Sequence, residues 1–113
     1  MAFVIMLKQN KDNHMYRKND KRRLYWLIDE YILGKINEST FCDEYYYSYD
    51  LEIDNSTFTH NEKYIFSELS KVTSRFSQYE EDHILDSKAF SSIDELRQKV
   101  LETRDKLKGE NLF

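Results

Sequence analysis

Apolar residues recur at intervals of three or four positions in four stretches of the chain, which is the spacing of amphipathic helices. The pattern predicts helices over residues 20–34 and 37–49, a third helix after Thr59 and a fourth after Ser92. The chain has two glycines and no proline, so few positions interrupt helix formation. We therefore expect an all-α fold, a compact bundle of four to five helices.

Three of these helices have an apolar stripe that predicts which side faces the core. The stripes are Leu24, Leu27, Ile28 and Tyr31 in the first helix, Ile65, Leu69, Val72 and Phe76 in the third, and Ile93, Leu96, Val100 and Leu107 in the fourth. The inner side of the second helix, with Phe41, Tyr45, Ser48 and Tyr49, completes the four stripes.

Capping residues and glycines predict where the helices begin and end, because short polar side chains accept hydrogen bonds from first-turn amides and glycine adopts the left-handed conformation that ends a helix. Thr59-His60-Asn61-Glu62 and Ser92-Ile93-Asp94-Glu95 are capping boxes. The other expected ends are Asn19 or Asp20 and Gly34 for the first helix, Asn37, Ser39 or Thr40 at the start of the second, and Gly109 after the last.

Residues 1–113 are expected to form one domain. Residues 2–7 are apolar, and their composition leaves a short strand, a helical turn and a frayed end open, so residues 1–19 stay undecided. The remaining segments are an acidic loop at 50–58, a long connection at 77–91 and a loose tail at 110–113.

The second helix has an unusual outer face. At about 100° per residue, Phe41, Tyr45, Ser48 and Tyr49 fall on the inner side, and Asp43, Tyr46, Tyr47 and Asp50 on the outer side. Two amphipathic rings between two carboxylates favour a protein interface, since tyrosine offers a large contact area and a hydroxyl that can pair in a desolvated site. The alternative is that one or two rings pack onto a neighbouring helix as core. The interface would extend into Glu52 and Asp54 of the following loop.

Charge is unevenly distributed: residues 1–23 have a net charge of +5, residues 24–86 of −10 and residues 87–113 of +1. An acidic middle repels nucleic acid and attracts basic surfaces, so RNA or DNA binding would depend on the basic segment 17–23. Secondary candidates for the partner surface are Trp26, Asp29 and Glu30 in the first helix and Glu80, Glu81 and Asp82 in the long connection. An alternative for Trp26 is that residues 2–7 pack over it.

The sequence shows no phosphate-binding loop, nucleophile elbow or zinc spacing, so we expect no enzyme activity, no cofactor and no metal. The run from Glu80 to His83 lacks a known ligand spacing. Cys42, the only cysteine, excludes an internal disulfide, is expected to be a buried hydrophobe and suits a reducing cytoplasm. Residues 2–7 are too short for a membrane span and lack the features of a signal peptide.

The order of elements in residues 20–50 resembles the opening of small helical immunity proteins, the families around colicin D immunity and contact-dependent growth inhibition immunity. The resemblance lies in an apolar helix, then Leu33-Gly34-Lys35-Ile36, then Asn37-Glu38-Ser39-Thr40-Phe41 and an acidic aromatic helix. It implies an all-α inhibitor that binds the C-terminal domain of a nuclease toxin, commonly a tRNA-cleaving one, and covers its active site. The motif does not fix the contact residues of such families, so none is transferred.

Three functional hypotheses follow. The first is a cytoplasmic immunity protein whose acidic, tyrosine-rich surface covers the basic cleft of a cognate nuclease toxin, with no direct contact to nucleic acid or membrane. Its oligomeric state stays open, with a monomer favoured. The second is a small helical nucleic-acid-binding regulator that uses Arg17, Lys18, Lys21, Arg22 and Arg23. The third is a small enzyme or metal protein, for which the sequence offers no constellation of residues.

Overall fold

The structure, a computed structural model, describes residues 16–86 and 88–113. The prediction for residues 2–7 and their expected packing over Trp26 lie outside these residues. The described part contains α1 (Arg22–Ile32), α2 (Glu38–Tyr49), α3 (His60–Thr73), α4 (Glu80–Leu85) and α5 (Ile93–Lys106), with 3₁₀ turns at Asn55–Thr57 and Lys108–Glu110.

The expected all-α fold is confirmed. α1 packs on α2 and α5, and α3 packs on the same two helices, so four helices enclose one core and the short α4 lies outside it. The described ranges contain no strand, and an isolated parallel bridge joins Phe76 to Ser91. Within these ranges, each helix is too short or too polar to cross a bilayer.

The inner face of α2 builds an aromatic column through the core. The ring centroids of successive residues in the column lie 5.1, 5.9, 5.3 and 6.1 Å apart. The column runs through Tyr31, Phe41, Tyr45, Tyr49 and Phe58. The hydroxyl of the fully buried Tyr45 donates to the Phe66 carbonyl at 2.9 Å, which satisfies its polar end. Packing on this side fixes which face of α2 remains outside.

Several predicted helix ends are confirmed. Asn37 caps α2 by accepting from the Thr40 amide, and Gly34 ends α1 with a φ of 75°. The Thr59 capping box is complete, since Thr59 Oγ1 accepts from the Glu62 amide and Glu62 Oε1 accepts from the Thr59 amide.

Glu62 does more than complete this box. Its carboxylate is buried and also accepts from Lys21 Nζ at 2.8 Å and from the Tyr25 hydroxyl at 2.6 Å. Lys21 Nζ donates to the Thr57 carbonyl as well. These bonds join the start of α1 to the start of α3 across about 40 positions of sequence.

Two other ends differ from the prediction. Only half of the second capping box forms, because Ser92 accepts from the Glu95 amide while the Glu95 carboxylate pairs with Arg75 at 3.2 Å. Gly109 does not end α5: the helix stops at Lys106, Gly109 lies in the following 3₁₀ turn, and Asn111 adopts the left-handed conformation.

Two apolar stripes are shorter than predicted. α3 ends at Thr73, so Phe76 lies beyond it and is only partly buried. Ile93 is exposed at the start of α5, whereas Leu96, Val100 and Leu107 are buried. A terminal position of a stripe can lie past the edge of the neighbouring helices, where burial is incomplete.

The connecting segments are more ordered than expected. The connection 77–91 contains α4, and the acidic loop 50–58 buries Ile53 and Phe58. The tail predicted to be loose packs on the bundle: the Phe113 ring lies 4.9 Å from that of Tyr25 and 4.5 Å from the Arg104 guanidinium. The Phe113 ring is stabilised there because it covers apolar surface. The polar residues around it in the sequence do not indicate this contact.

Candidate partner-binding groove

Three outer residues of α2 and the residue that caps its C-terminus line one open groove with a volume of about 720 Å³. Asp43, Tyr46, Tyr47 and Asp50 follow the spacing i, i+3, i+4, i+7, so they form a continuous stripe along two turns of helix. Tyr46 and Tyr47 are 48% and 41% exposed, and their ring centroids lie 6.0 Å apart at an angle of 62°. Their rings therefore remain outside the core, unlike those of Tyr45 and Tyr49.

The opposite wall of the groove comes from the segment between α3 and α5, with the exposed Tyr79 and the partly exposed Asp82 as its aromatic and acidic members. Phe76 and Phe90 form apolar lining between the walls. We call this surface the acidic groove and define it by Asp43, Tyr46, Tyr47 and Asp50 on one wall and Tyr79 and Asp82 on the other.

Backbone and side-chain hydrogen bonds hold the second wall. The Ser91 amide donates to the Arg75 carbonyl at 2.7 Å, which fastens the two ends of the segment together. The Ser77 hydroxyl donates to Asp82, and His83 Nε2 lies 2.8 Å from the Ser77 carbonyl. Ser39 donates to the Gln78 side chain at 2.9 Å, a direct link between the start of α2 and this wall.

The carboxylates of the groove are not neutralised by neighbouring cations. Within residues 16–86 and 88–113, neither Asp43 nor Asp50 makes an ion pair or a side-chain hydrogen bond. Glu80 and Glu81 in the first turn of α4 are also exposed. Lys18 Nζ lies 5.2 Å from the Tyr47 ring centroid. The groove therefore combines uncompensated negative charge with accessible aromatic faces.

Cys42 lies on α2 at the inner border of the groove and is 9% exposed. Burial, together with the negative charges of Asp43 and Glu38, raises the pKa of its thiol to about 12. A thiol with this pKa is almost wholly protonated near neutrality and is a poor nucleophile. This agrees with the prediction that Cys42 is a buried hydrophobe.

The structure brings together five of the predicted site residues and separates the others. Asp43, Tyr46, Tyr47, Asp50 and Asp82 share the groove, whereas Glu52 and Asp54 lie outside its lining. Asp54 instead accepts from the Ser56 amide at 2.9 Å and caps the 3₁₀ turn, and this backbone hydrogen bond lowers the pKa of its carboxyl.

The secondary candidates of α1 are occupied by contacts within the protein. Trp26 is partly buried and packs against the core, and the Arg23 guanidinium lies 5.3 Å from the centroid of its ring. Asp29 pairs with Arg104 at 2.8 Å, and Glu30 lies 3.8 Å from Lys35. These three residues are not part of the acidic groove.

The basic segment 17–23 is largely engaged as well. Arg23 is buried and pairs with Glu44 at 2.7 Å, Arg22 pairs with Asp20 at 2.6 Å, and Lys21 pairs with the buried Glu62. Arg17 and Lys18 are exposed. Three of the five basic side chains of this segment therefore form ion pairs within the protein, at the start of α1.

Reasoning from sequence missed Tyr79, which is 57% exposed and faces the α2 stripe across the groove. Its position directly before the acid run Glu80-Glu81-Asp82 repeats the pairing of ring and carboxylate found on α2. The sequence contains this local pattern around Tyr79. It does not show that this segment lies next to α2.

Among known proteins, no family model, curated sequence or solved structure matches this chain.

Proposed function

We propose that this chain is an immunity protein that binds a cognate bacterial nuclease toxin domain and neutralises it by covering its basic active-site cleft with the acidic groove. The observation that carries the proposal is the convergence of Asp43, Tyr46, Tyr47 and Asp50 with Tyr79 and Asp82 on one open surface. A tRNA-cleaving toxin is the preferred partner, because the resemblance of residues 20–50 to colicin D immunity and related proteins implies it.

The physical support is complementarity. A cleft that binds a phosphate backbone is lined with lysine and arginine, so carboxylates on an inhibitor can take the positions of phosphates. Exposed tyrosine rings can take the positions of bases, which stack on aromatic side chains in single-strand binding sites. The acidic groove presents both groups on the same surface, and the net charge of −10 over residues 24–86 supports attraction over longer distances.

The test is co-expression in bacterial cells with the C-terminal domain encoded by the reading frame next to this gene. We expect that domain to stop growth when expressed alone, and growth to return when this chain is present, with a stable complex on size-exclusion chromatography. Asp43→Lys/Asp50→Lys should lose protection. Asp94→Lys/Asp105→Lys is the matched control, since it makes the same change in charge at two exposed residues of α5 outside the groove.

A neighbouring domain that is harmless, or that arrests growth equally with and without this chain, would contradict the proposal. Loss of protection in both charge variants would indicate a general effect of net charge and not a site at the groove. Melting temperatures of the variants separate loss of fold from loss of binding.

The alternative, a nucleic-acid-binding regulator that uses segment 17–23, has less support because Lys21, Arg22 and Arg23 pair with carboxylates of the same chain. We propose that the isolated protein shows no measurable affinity for tRNA or duplex DNA at moderate salt. Tight, salt-sensitive tRNA binding that disappears in Arg22→Glu/Arg23→Glu would reverse this ranking, with Arg22→Glu alone as the variant that spares the buried guanidinium.

A further inference from the structure

The acidic groove already holds one basic side chain at its edge. Lys18 Nζ lies 5.2 Å from the centroid of the Tyr47 ring, within the distance of about 6 Å at which a cation is attracted to an aromatic face. Lys18 is exposed and precedes α1, so it reaches α2 from another part of the chain. The outer face of the Tyr47 ring is therefore accessible to a cation.

The surroundings of the two rings suit an arginine better than a lysine. Asp43 and Asp50 are seven positions apart on α2, about 10 Å along the helix axis, and the rings of Tyr46 and Tyr47 lie between them. A guanidinium is planar, stacks on an aromatic face and donates two parallel hydrogen bonds to one carboxylate. An ammonium such as that of Lys18 is a compact point charge that cannot make the same paired contact.

The opposite wall repeats the combination of ring and carboxylate. Tyr79 is exposed and Asp82 is partly exposed on that wall of the groove. A volume of about 720 Å³ lies within the range of about 300–1,000 Å³ that is usual for binding pockets, so it can take more than one side chain. A segment of a basic protein that lies along the groove would place cations against both walls.

We propose that Tyr46 and Tyr47, together with Asp43 and Asp50, form a subsite for an arginine side chain of a partner protein, and that Lys18 occupies the Tyr47 face until the partner displaces it. The inference deepens the proposed function, because it rests on the groove being the partner surface. It does not require the partner to be a nuclease.

The probe is the peptide acetyl-Gly-Arg-Gly-amide, and its control is the same peptide with citrulline, which has nearly the shape of arginine but no charge. In amide NMR titrations at low ionic strength, the arginine peptide should give saturable shifts at Tyr46 and Tyr47, and the citrulline peptide none. Tyr46→Leu/Tyr47→Leu should abolish the shifts at neighbouring α2 amides. Both residues are exposed, so this variant should keep the melting temperature of the parent.

Lys18→Gln tests the displacement. It removes the competing cation, so the arginine peptide should bind about two- to fivefold more tightly, the range that corresponds to an exposed cation–π contact. Lys63→Gln is the matched control, because Lys63 is exposed on α3, does not line the groove and carries the same charge. It should leave the affinity unchanged.

Equal binding of the citrulline peptide, or full binding by Tyr46→Leu/Tyr47→Leu, would overturn the arginine subsite. Equal affinities of Lys18→Gln and Lys63→Gln would overturn the displacement. A protein that protects cells from the neighbouring toxin but does not bind the arginine peptide would overturn this inference and leave the proposed function in place. Peptide binding without protection would do the reverse.

Discussion

The buried Glu62 carboxylate accepts hydrogen bonds from three different residues. Burial alone would raise the pKa of its carboxyl, but hydrogen bonds from Lys21, Tyr25 and the Thr59 amide outweigh this effect and lower the pKa below its usual value of 4.5. Burial and the Glu62 carboxylate in turn raise the pKa of the Tyr25 hydroxyl well above its ordinary value. A buried carboxylate with three donors stabilises the fold only while it is ionised.

We therefore predict that Glu62→Gln lowers the free energy of unfolding at neutral pH by about 1–3 kcal/mol, because a charge-assisted network is replaced by a neutral one. A carboxyl with a lowered pKa in the folded state contributes stability above pH 4.5, and this contribution is lost as the pH falls through the folded-state pKa. The variant should accordingly lose stability less steeply in acid than the parent. Urea denaturation between pH 3 and pH 7 measures both effects.

Glu68→Gln is the control for this experiment. It makes the same chemical change on the same helix, at a partly exposed residue that pairs with Lys71. Its effect should be clearly smaller. Parallel stability curves of the parent and Glu62→Gln across the acid range would show that the buried network does not couple folding to protonation.

At the scale of elements, α3 is one of the two helices that pack against both α2 and α5. Leu69 is fully buried near its middle. Leu69→Asp should abolish the cooperative unfolding transition by placing an unpaired charge in the core, and Leu69→Ala should cost about 2–5 kcal/mol. Circular dichroism during thermal and urea unfolding measures both.

Leu101→Asp is the matched control, since Leu101 is an α5 leucine that is 46% exposed. It should remain folded, with a change within about 0.5 kcal/mol. A folded Leu69→Asp variant would mean that the stripe of α3 does not form the core.

Helices with a strong local signal could be predicted from sequence, and α4 could not. Thr59 and Asn37 are caps whose hydrogen bonds depend on residues three positions away, so the necessary information is local. α4 has six residues and none of them is buried, so it leaves no apolar stripe for a periodicity argument to find. The docking of Phe113 on Tyr25 escapes such an argument as well, because it joins residues from opposite ends of the described chain.

The same limit applies to the candidate site. The stripe on α2 follows from helix geometry, and its outward direction follows from the aromatic column on the other face. The second wall depends on the packing of residues 76–91, which no local pattern specifies. Asp54 shows a different limit, since an acid adjacent to the stripe in sequence caps a turn and lies outside the groove lining.

At the scale of the whole molecule, the net charge of −10 over residues 24–86 predicts that electrostatic attraction controls the rate of association. Asp43→Lys/Asp50→Lys should slow association with the proposed toxin partner and flatten its dependence on ionic strength, because exposed carboxylates act mainly through long-range attraction. Tyr47→Ala should instead speed dissociation and cost about 2 kcal/mol or more if the ring is a central anchor of the interface. Surface plasmon resonance at several salt concentrations separates the two rates.

Tyr64→Ala is the control for the loss of a ring, since Tyr64 is 62% exposed on α3 and does not line the groove. It should leave both rates unchanged, and none of the variants should lower the melting temperature much. If the groove variants bind with unchanged kinetics, the partner surface lies elsewhere, and Glu80 and Glu81 on α4 are the next residues to test.

The two walls of the acidic groove differ in how strongly they are tied to the rest of the protein. α4 buries no side chain, so its local opening exposes little apolar surface, and its amide protons should exchange with solvent without global unfolding. The amides at the core-facing side of α2 should exchange only when the bundle itself unfolds. A partner that binds Asp82 would have to order the wall that contains α4, and the entropy lost in doing so would lower its affinity. Substitutions that stiffen α4 should therefore tighten binding through preorganisation, without adding any contact to the partner.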